Sequence, residues 1–260
     1  MNELKVLQYF GHKLPKVDRA SGIANRVLKP LYNRKKREVV VTNVLGLKME
    51  LNPNETVDGN LIFCPQLYDY NEVKFLLENL NQDDCFIDVG ANVGFYSLMA
   101  SKRTSNILAI EASPKTFNIL KKNIALNDLT VNAINIGLSD KEETLMLSKE
   151  DGRNSGGQSF INAGIEGIEV KCQPLLKVLE KNNIKKIKLM KMDIEGFEYK
   201  VLKPFLINSA KSLYPKYIIV EFRKKEIESS TGNQIKLLEE YGYKKIFEFK
   251  STNVILEYNG

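Results

Sequence analysis

The sequence predicts an α/β fold: a mostly parallel, doubly wound sheet, closed by a C-terminal antiparallel hairpin and preceded by an N-terminal α/β extension. Three observations predict it. From Cys85 onward, short apolar runs alternate with stretches of helical spacing, the pattern of consecutive βαβ units. The first run, Cys85-Phe86-Ile87-Asp88-Val89, passes into a glycine turn that opens a helix. The last two runs, 245–249 and 253–258, follow one another with no helical stretch between them and read as a hairpin.

The elements follow in order. Residues 1–81 form the extension and residues 82–260 the main domain. In the extension, Val27, Leu28 and Leu31 fit one face of a helix that Pro30 limits. Residues 39–42 and 48–51 read as strands about a turn at Leu45-Gly46, and Val73, Leu76, Leu77 and Leu80 put a helix over 70–80. In the main domain, 95–100 begins a helix and 107–111 is the second strand. Ser113 then supplies an N-cap and Pro114 a first-turn residue for a helix facing inward through Phe117, Leu120 and Ile124. Residues 131–136 are the third strand, 144–147 a short one, and the polar, glycine-rich 151–167 a loop. Residues 175–180, 199–206 and 235–241 are helical, while 187–193 and 217–222 are strands. Right-handed crossovers wind helices onto both faces of such a sheet. Ligands are therefore expected beyond the carboxyl ends of the strands, at 88–94, Glu111, 135–140, 193–198 and Glu221.

Composition narrows the class. With 260 residues, 43% hydrophobic and 27% charged, the chain can bury a core. No window approaches the roughly 18 apolar residues of a membrane helix, and residues 1–10, holding Glu3, Lys5 and Gln8, lack the apolar centre of a secretory leader. Cys64, Cys85 and Cys172 show no CxxC spacing, which fits reduced thiols in a cytoplasmic protein. The net charge of +6 is carried mainly by lysine. A nucleic-acid reader would show arginine-rich clusters with interleaved aromatics, so no nucleic-acid partner is expected. The one dense basic run, Arg34-Lys35-Lys36-Arg37, suits an anionic membrane face, an acidic partner or a solvated turn. His12, the sole histidine, lies in the extension and reads as a surface residue, so a histidine base has little support.

Two runs carry chemistry. In Asp88-Val89-Gly90-Ala91-Asn92-Val93-Gly94, the glycines allow a tight turn and close approach of backbone to ligand. Asn92 stands where a third glycine often falls, and asparagine tolerates left-handed backbone. The spacing is not the GxGxxG of dinucleotide sites. Asp88 would repel a pyrophosphate and suits the ammonium group of S-adenosylmethionine. Glu111, 23 residues later at a strand end, can accept hydrogen bonds from ribose hydroxyls. The expected cofactor set is Asp88, Gly90, Ala91, Asn92, Gly94 and Glu111, joined by Ser139 and Asp140 after the third strand. The second run is Lys191-Met192-Asp193-Ile194-Glu195-Gly196-Phe197-Glu198. Alternation points Lys191 and Asp193 to the same side. A sulfonium donor is already activated, so the protein mainly positions the acceptor, and Asp193 or Glu195 is the expected base for an acceptor hydroxyl. Lys191, Ser159, Glu198 and Glu221 are expected to touch the acceptor. Blander roles compete: Glu198 as the partner of a helix N-terminus, Lys191–Asp193 as a structural ion pair. Carboxylates on neighbouring strand ends could hold Mg²⁺, but a site without metal is the preferred expectation.

At these residues the sequence resembles the FkbM family of S-adenosylmethionine-dependent methyltransferases. The resemblance rests on Phe86-Ile87-Asp88-Val89-Gly90-Ala91-Asn92-Val93-Gly94-Phe95-Tyr96-Ser97, Ile110-Glu111-Ala112-Ser113-Pro114, Asn135-Ile136-Gly137-Leu138-Ser139-Asp140 and the run from Met190 to Glu198 with Val201-Leu202. It spans roughly 61–222. It implies a Rossmann-like class I methyltransferase fold and O-methylation, mainly of sugar or polyketide hydroxyls. The chain departs from the pattern at Pro174-Leu175-Leu176, where the family often has Leu-Asp, and at Lys141-Glu142-Glu143, which lacks the usual glycine. It keeps Gly156-Gly157-Gln158-Ser159-Phe160, whose serine could reach substrate or cofactor. The resulting expectation is a saccharide O-methyltransferase of surface glycan or glycolipid synthesis. The runner-up acts on a small secondary metabolite such as a polyketide. A binding module without turnover is the reading from another class, and intact Asp88, Glu111, Asp193 and Glu195 speak against it. A nucleic-acid methyltransferase would need a base-gripping motif of the Asn-Pro-Pro-Tyr type after the fourth strand, and none is there.

Overall fold

The computed structural model describes residues 3–15, 24–33, 39–148, 160–161, 167–221, 233–248 and 253–260. The extension comprises α1 (Glu3–His12), a π-helical turn (Ala24–Leu28), α2 (Lys29–Asn33), the hairpin β1 (Val40–Val44) and β2 (Leu47–Leu51), α3 (Thr56–Phe63) and α4 (Tyr70–Asn79). There follow β3 (Phe86–Val89), α5 (Phe95–Ala100), β4 (Ile107–Glu111), α6 (Pro114–Ala125) and β5 (Asn132–Asn135). Next come β6 (Gly137–Leu138), β7 (Glu143–Ser148), β8 (Phe160–Ile161), β9 (Gly167–Gln173) and α7 (Leu175–Lys181). The chain ends with β10 (Leu189–Met192), α8 (Glu198–Asn208), β11 (Tyr217–Glu221), α9 (Gln234–Glu240), β12 (Tyr243–Glu248) and β13 (Asn253–Tyr258).

The main sheet has the order β12-β13-β11-β10-β3-β4-β5. Its β11, β10, β3, β4 and β5 are parallel, and β13 enters antiparallel between β11 and β12. This is the Rossmann-like arrangement of class I methyltransferases. The chain works outward from β3 to β5 and then returns to place β10 on the other side of β3. That switch point is where ligands bind in open α/β sheets.

The central strands are buried on both faces, as their unbroken apolar runs require. Alternate residues divide between two cores. Phe86, Ile107, Ala109, Leu189, Ile219 and Ile255 face one core with the extension, α5 and α6. Ile87, Leu108, Met190, Ile218 and Val254 face the other with α7, α8 and α9. By the same alternation Asp88, Glu111, Lys191, Asp193, Glu221 and Asn253 all fall on the extension's side, at the strand ends. The extension shares its core with that side: Leu28, Met49, Leu61 and Phe63 pack in one cluster with Phe86 and Leu98.

Several details depart from expectation. Val27 and Leu31 are exposed, while Leu28 and Tyr32 are buried. The wide π-helical turn, followed by a new helix with Pro30 in its first turn, rotates the inward face onto that pair. Phe160-Ile161, expected within a loop, pairs with β7, and the rest of 151–166 lies outside the described residues. The sequence reading also lacked the second sheet, of order β6-β9-β7-β8. No helix among the described residues is long and apolar enough to cross a membrane. The three cysteines are free and buried.

Candidate active site

The strand ends open into a cavity of about 570 Å³. Its floor is the turn after β3, where Gly90 (φ +76°), Asn92 (+49°) and Gly94 (+95°) adopt left-handed backbone. The glycines answer to the protein's own packing. A Cβ on Gly90 would sit 1.9 Å from the carbonyl oxygen of Asp193, and one on Gly94 would sit 2.5 Å from Leu120 Cδ1. The sequence reading gave the glycines a tight turn and close approach to a ligand; the turn is seen, and the adjacent strand end and α6 add a packing reason of their own.

Glu111 locks the turn. Its Oε2 accepts the Asn92 N–H at 2.8 Å, and its Oε1 accepts the Ser113 N–H at 2.8 Å. Burial pushes its carboxyl up to about 7, against the pull of those two bonds. Each oxygen keeps a second lone pair for a ligand donor. Asp88, almost fully buried, accepts from Ser97 Oγ at 2.6 Å, and burial pushes it up to about 6. Asn92 Oδ1 is buried and has no hydrogen-bond partner within the described protein. This end of the cavity therefore offers acceptors, Asp88, Asn92 and Glu111, and suits a ligand rich in donors and positive charge.

Beside Asp88, on the adjacent β10, stands its register partner Lys191. Lys191 is 2% exposed. Its Nζ lies 3.3 Å from Asp193 Oδ2, 3.3 Å from Asn253 Oδ1 and 5.5 Å from the centre of the Tyr96 ring. Burial works against its charge, but Asp193 and Asp69 outweigh burial and hold its pKa above the ordinary lysine value. Asn253 Nδ2 donates to buried Glu72 at 3.1 Å, and the Tyr96 hydroxyl donates to Asp69 Oδ2 at 2.9 Å. Burial first, and then Glu72, raise Asp69 to about 6. Oxygens of Asp193, Glu195 and Glu221 lie within 4.8 Å of one another. Glu195 (φ +52°) and Asp69 (+43°) are non-glycine residues in left-handed backbone. With Asn92, they place three sites of backbone strain on the cavity wall.

Asp88, Gly90, Ala91, Asn92, Glu111, Lys191, Asp193, Glu195 and Glu221 all line this cavity. Gly94 stands behind it at the start of α5. Ser139 and Asp140 are not among its walls. Directly after β5 the chain turns into β6 and the second sheet. Ser139 Oγ there donates to Glu143 at 2.5 Å, and Lys200 on α8 reaches Asp140 at 3.3 Å and Glu143 at 3.1 Å. Glu198 is buried as well. Its Oε1 accepts the Ile194 N–H at 2.8 Å and its Oε2 the Gly196 N–H at 3.0 Å, so it shapes the turn that presents Asp193 and Glu195. Ser159 lies outside the described residues. Tyr68, Asp69, Tyr96 and Asn253 are cavity residues that the sequence reading missed. Asn253 had a signal, a polar residue at an inward position of an apolar strand. Asp69 had none, because its place depends on how the extension folds over the sheet.

The family model described as "Methyltransferase FkbM domain" matches residues 88–245. The chain is 28% identical to methyltransferase sdnD of Sordaria araneosa, over 55% of this chain and 65% of that protein. It is also 28% identical to the hexuronic acid methyltransferase AglP of Haloferax volcanii, over 57% of this chain and 60% of that one. The matches thus span less than two thirds of these relatives' lengths. Among solved structures, M. jannaschii TYW2 in complex with AdoMet aligns with a TM-score of 0.42 at 15% identity, over 85% of this chain and 84% of that one. With the domain match running from within β3 to within β12, across more than half of the chain's length, the chain belongs to the FkbM family of S-adenosylmethionine-dependent methyltransferases.

Proposed function

We propose that this chain methylates a hydroxyl of a saccharide, with S-adenosylmethionine as donor, in surface glycan or glycolipid synthesis. The observation that carries the reading is the convergence of Asp193, Glu195 and Glu221 in the cavity that also holds the buried carboxyls of Asp88 and Glu111, acceptors suited to a cationic donor. Asp88, Asn92 and Glu111 would hold the cofactor; the unpartnered Asn92 Oδ1 and the two buried carboxylates fit its ammonium and ribose hydroxyls. The cofactor supplies an activated methyl group on a sulfonium. The protein's part is to orient the acceptor and take its proton. Asp193 or Glu195 accepts that proton, and Lys191 fixes the Asp193 carboxylate. Glu221 and Asn253 offer further hydrogen bonds to a polyol.

The saccharide part is supported by the relative named for a hexuronic acid. Charge refines it. A uronate carboxylate would meet three carboxylates with one buried ammonium among them, so the acceptor ring here is a neutral sugar. No metal is needed in this reading, and EDTA should leave turnover unchanged. The test is methyl transfer from labelled cofactor to a panel of neutral sugars, uronates and small phenolic or polyketide hydroxyls. Neutral sugars should be methylated best. Labelling confined to the phenolic or polyketide compounds would overturn the saccharide reading, and calorimetry showing NAD but not S-adenosylmethionine binding would overturn the whole.

A further inference from the structure

The first 37 residues hold ten Lys and Arg against two Asp and Glu, a net charge of +8. The whole chain carries +6, so the remaining residues sum to −2. Apolar exposure concentrates at the same end. Of nine large hydrophobic side chains exposed among the described residues, six precede residue 42: Tyr9, Phe10, Val27, Leu31, Val39 and Val41. Charge of one sign and bare apolar side chains thus meet in a single short segment.

The geometry explains why those side chains stay outside. Leu4 and Leu7 turn inward from α1 to the core. Gln8 Nε2 donates to Thr42 Oγ1 at 2.6 Å and to the Ile62 carbonyl at 3.2 Å. That fixes the inner face of α1 and leaves Lys5, Tyr9, Phe10 and Lys13 on the outer one. Tyr9 is 60% and Phe10 61% exposed. Their rings meet edge to face at 5.8 Å, with Lys13 Nζ 5.6 Å from the Tyr9 ring centre. The π-helical turn and α2 pack beside α1 and carry Val27 and Leu31, also exposed.

We propose that this face docks on an anionic lipid surface. Aromatic and aliphatic side chains flanked by lysines are the chemistry of an interfacial helix: rings enter the headgroup layer while ammonium groups meet lipid phosphates. A nucleic acid would be met by the same charge, but it offers no partner for Phe10, Val27 and Leu31 on the face of a folded helix pair. The position has a use. The face packs on α3, and the first turn of α3, through Thr56 and Val57, is a wall of the cavity. Docking sets that wall beside the membrane, where a lipid-linked acceptor is carried. The docking itself does not depend on the acceptor's identity.

The experiment is co-sedimentation of the full chain with vesicles of phosphatidylcholine alone and of phosphatidylcholine mixed with phosphatidylglycerol. The chain should sediment with the anionic vesicles, and salt of about 1 M, which shortens the screening length to about 3 Å, should release it. Lys5→Glu with Lys13→Glu should weaken partitioning by about fivefold or more per charge. Tyr9→Ser with Phe10→Ser should weaken it comparably. Both variants should still bind S-adenosylhomocysteine as the parent does, since neither touches the cavity. Equal sedimentation with both vesicle types would overturn the proposal. So would parent-like partitioning of either variant, or tight binding of tRNA without sedimentation on anionic vesicles.

Discussion

Glu111 holds two backbone N–H groups at 2.8 Å and still faces the cavity, so it serves the turn and the ligand together. Glu111→Ala should therefore weaken cofactor binding by tenfold or more, since each charge-assisted hydrogen bond contributes about 1.5–3 kcal/mol. It should also lower the melting temperature, because Asn92 and Ser113 lose their acceptor. Unchanged affinity in calorimetry would place the ribose elsewhere. Asp193→Asn and Glu195→Gln keep shape and remove charge. At least one should lose about 10²-fold or more in turnover while binding the cofactor normally. Parent-like single-turnover rates in both would move the base to Glu221 or Asp69. Much at this scale was legible in the sequence. The parity of Lys191 and Asp193 follows from a period of two, and the left-handed Asn92 from its residue type. The surroundings of Ser139 and Asp140 were not legible, because their place depends on how β6 pairs with β9, a long-range contact with no local mark. Glu198 was ambiguous until its two oxygens could be seen on the Ile194 and Gly196 amides.

Among the elements, α5 and α6 show how packing sets sequence. Gly94 starts α5 at φ +95°, with Leu120 of α6 where its Cβ would be. Gly94→Ala combines a left-handed penalty with overpacking and should destabilise by about 2–4 kcal/mol. Denaturant unfolding reads it, and a parent-like midpoint would mean that α6 can shift aside. Ser113 caps α6, accepting the Thr116 N–H at 3.4 Å, with Pro114 next to it. That start signal was plain in the sequence, as were the strands and helices around it, because their apolar periods are strong. The second sheet was hidden for the opposite reason. Strands β6 and β8 are two residues each, too short for any period to emerge, and their pairing is wholly tertiary.

For the molecule as a whole, buried acids set the response to pH. Burial raises Asp58 and Glu111 to about 7, and Asp69 and Asp88 to about 6. A carboxyl whose folded pKa lies above its unfolded value binds its proton more tightly in the folded state. Its contribution is full at low pH and is lost as pH rises from the ordinary carboxylate range through about 6 to 7. The cofactor-free protein should thus lose stability on this account between about pH 4 and pH 7. A cationic ligand needs Asp88 and Glu111 ionised, so cofactor affinity should rise across the same window, with protons released. Calorimetry at about pH 6.5 in two buffers of different ionisation heat measures that release. Binding without proton exchange would show that these acids are already ionised.

One structural fact reaches beyond a single enzyme. Thr56, Val57, Tyr68, Asp69 and Asn253 line the cavity, yet all lie outside residues 88–245, the stretch that the family shares. Four of the five belong to the extension, so under the proposed function part of the acceptor's wall is built apart from the matched stretch. A chimera joined in the short span between α4 and β3 should exchange Thr56, Val57, Tyr68 and Asp69 while leaving Asn253 and the shared stretch in place, and assays on the sugar panel would show whether acceptor preference moves with them.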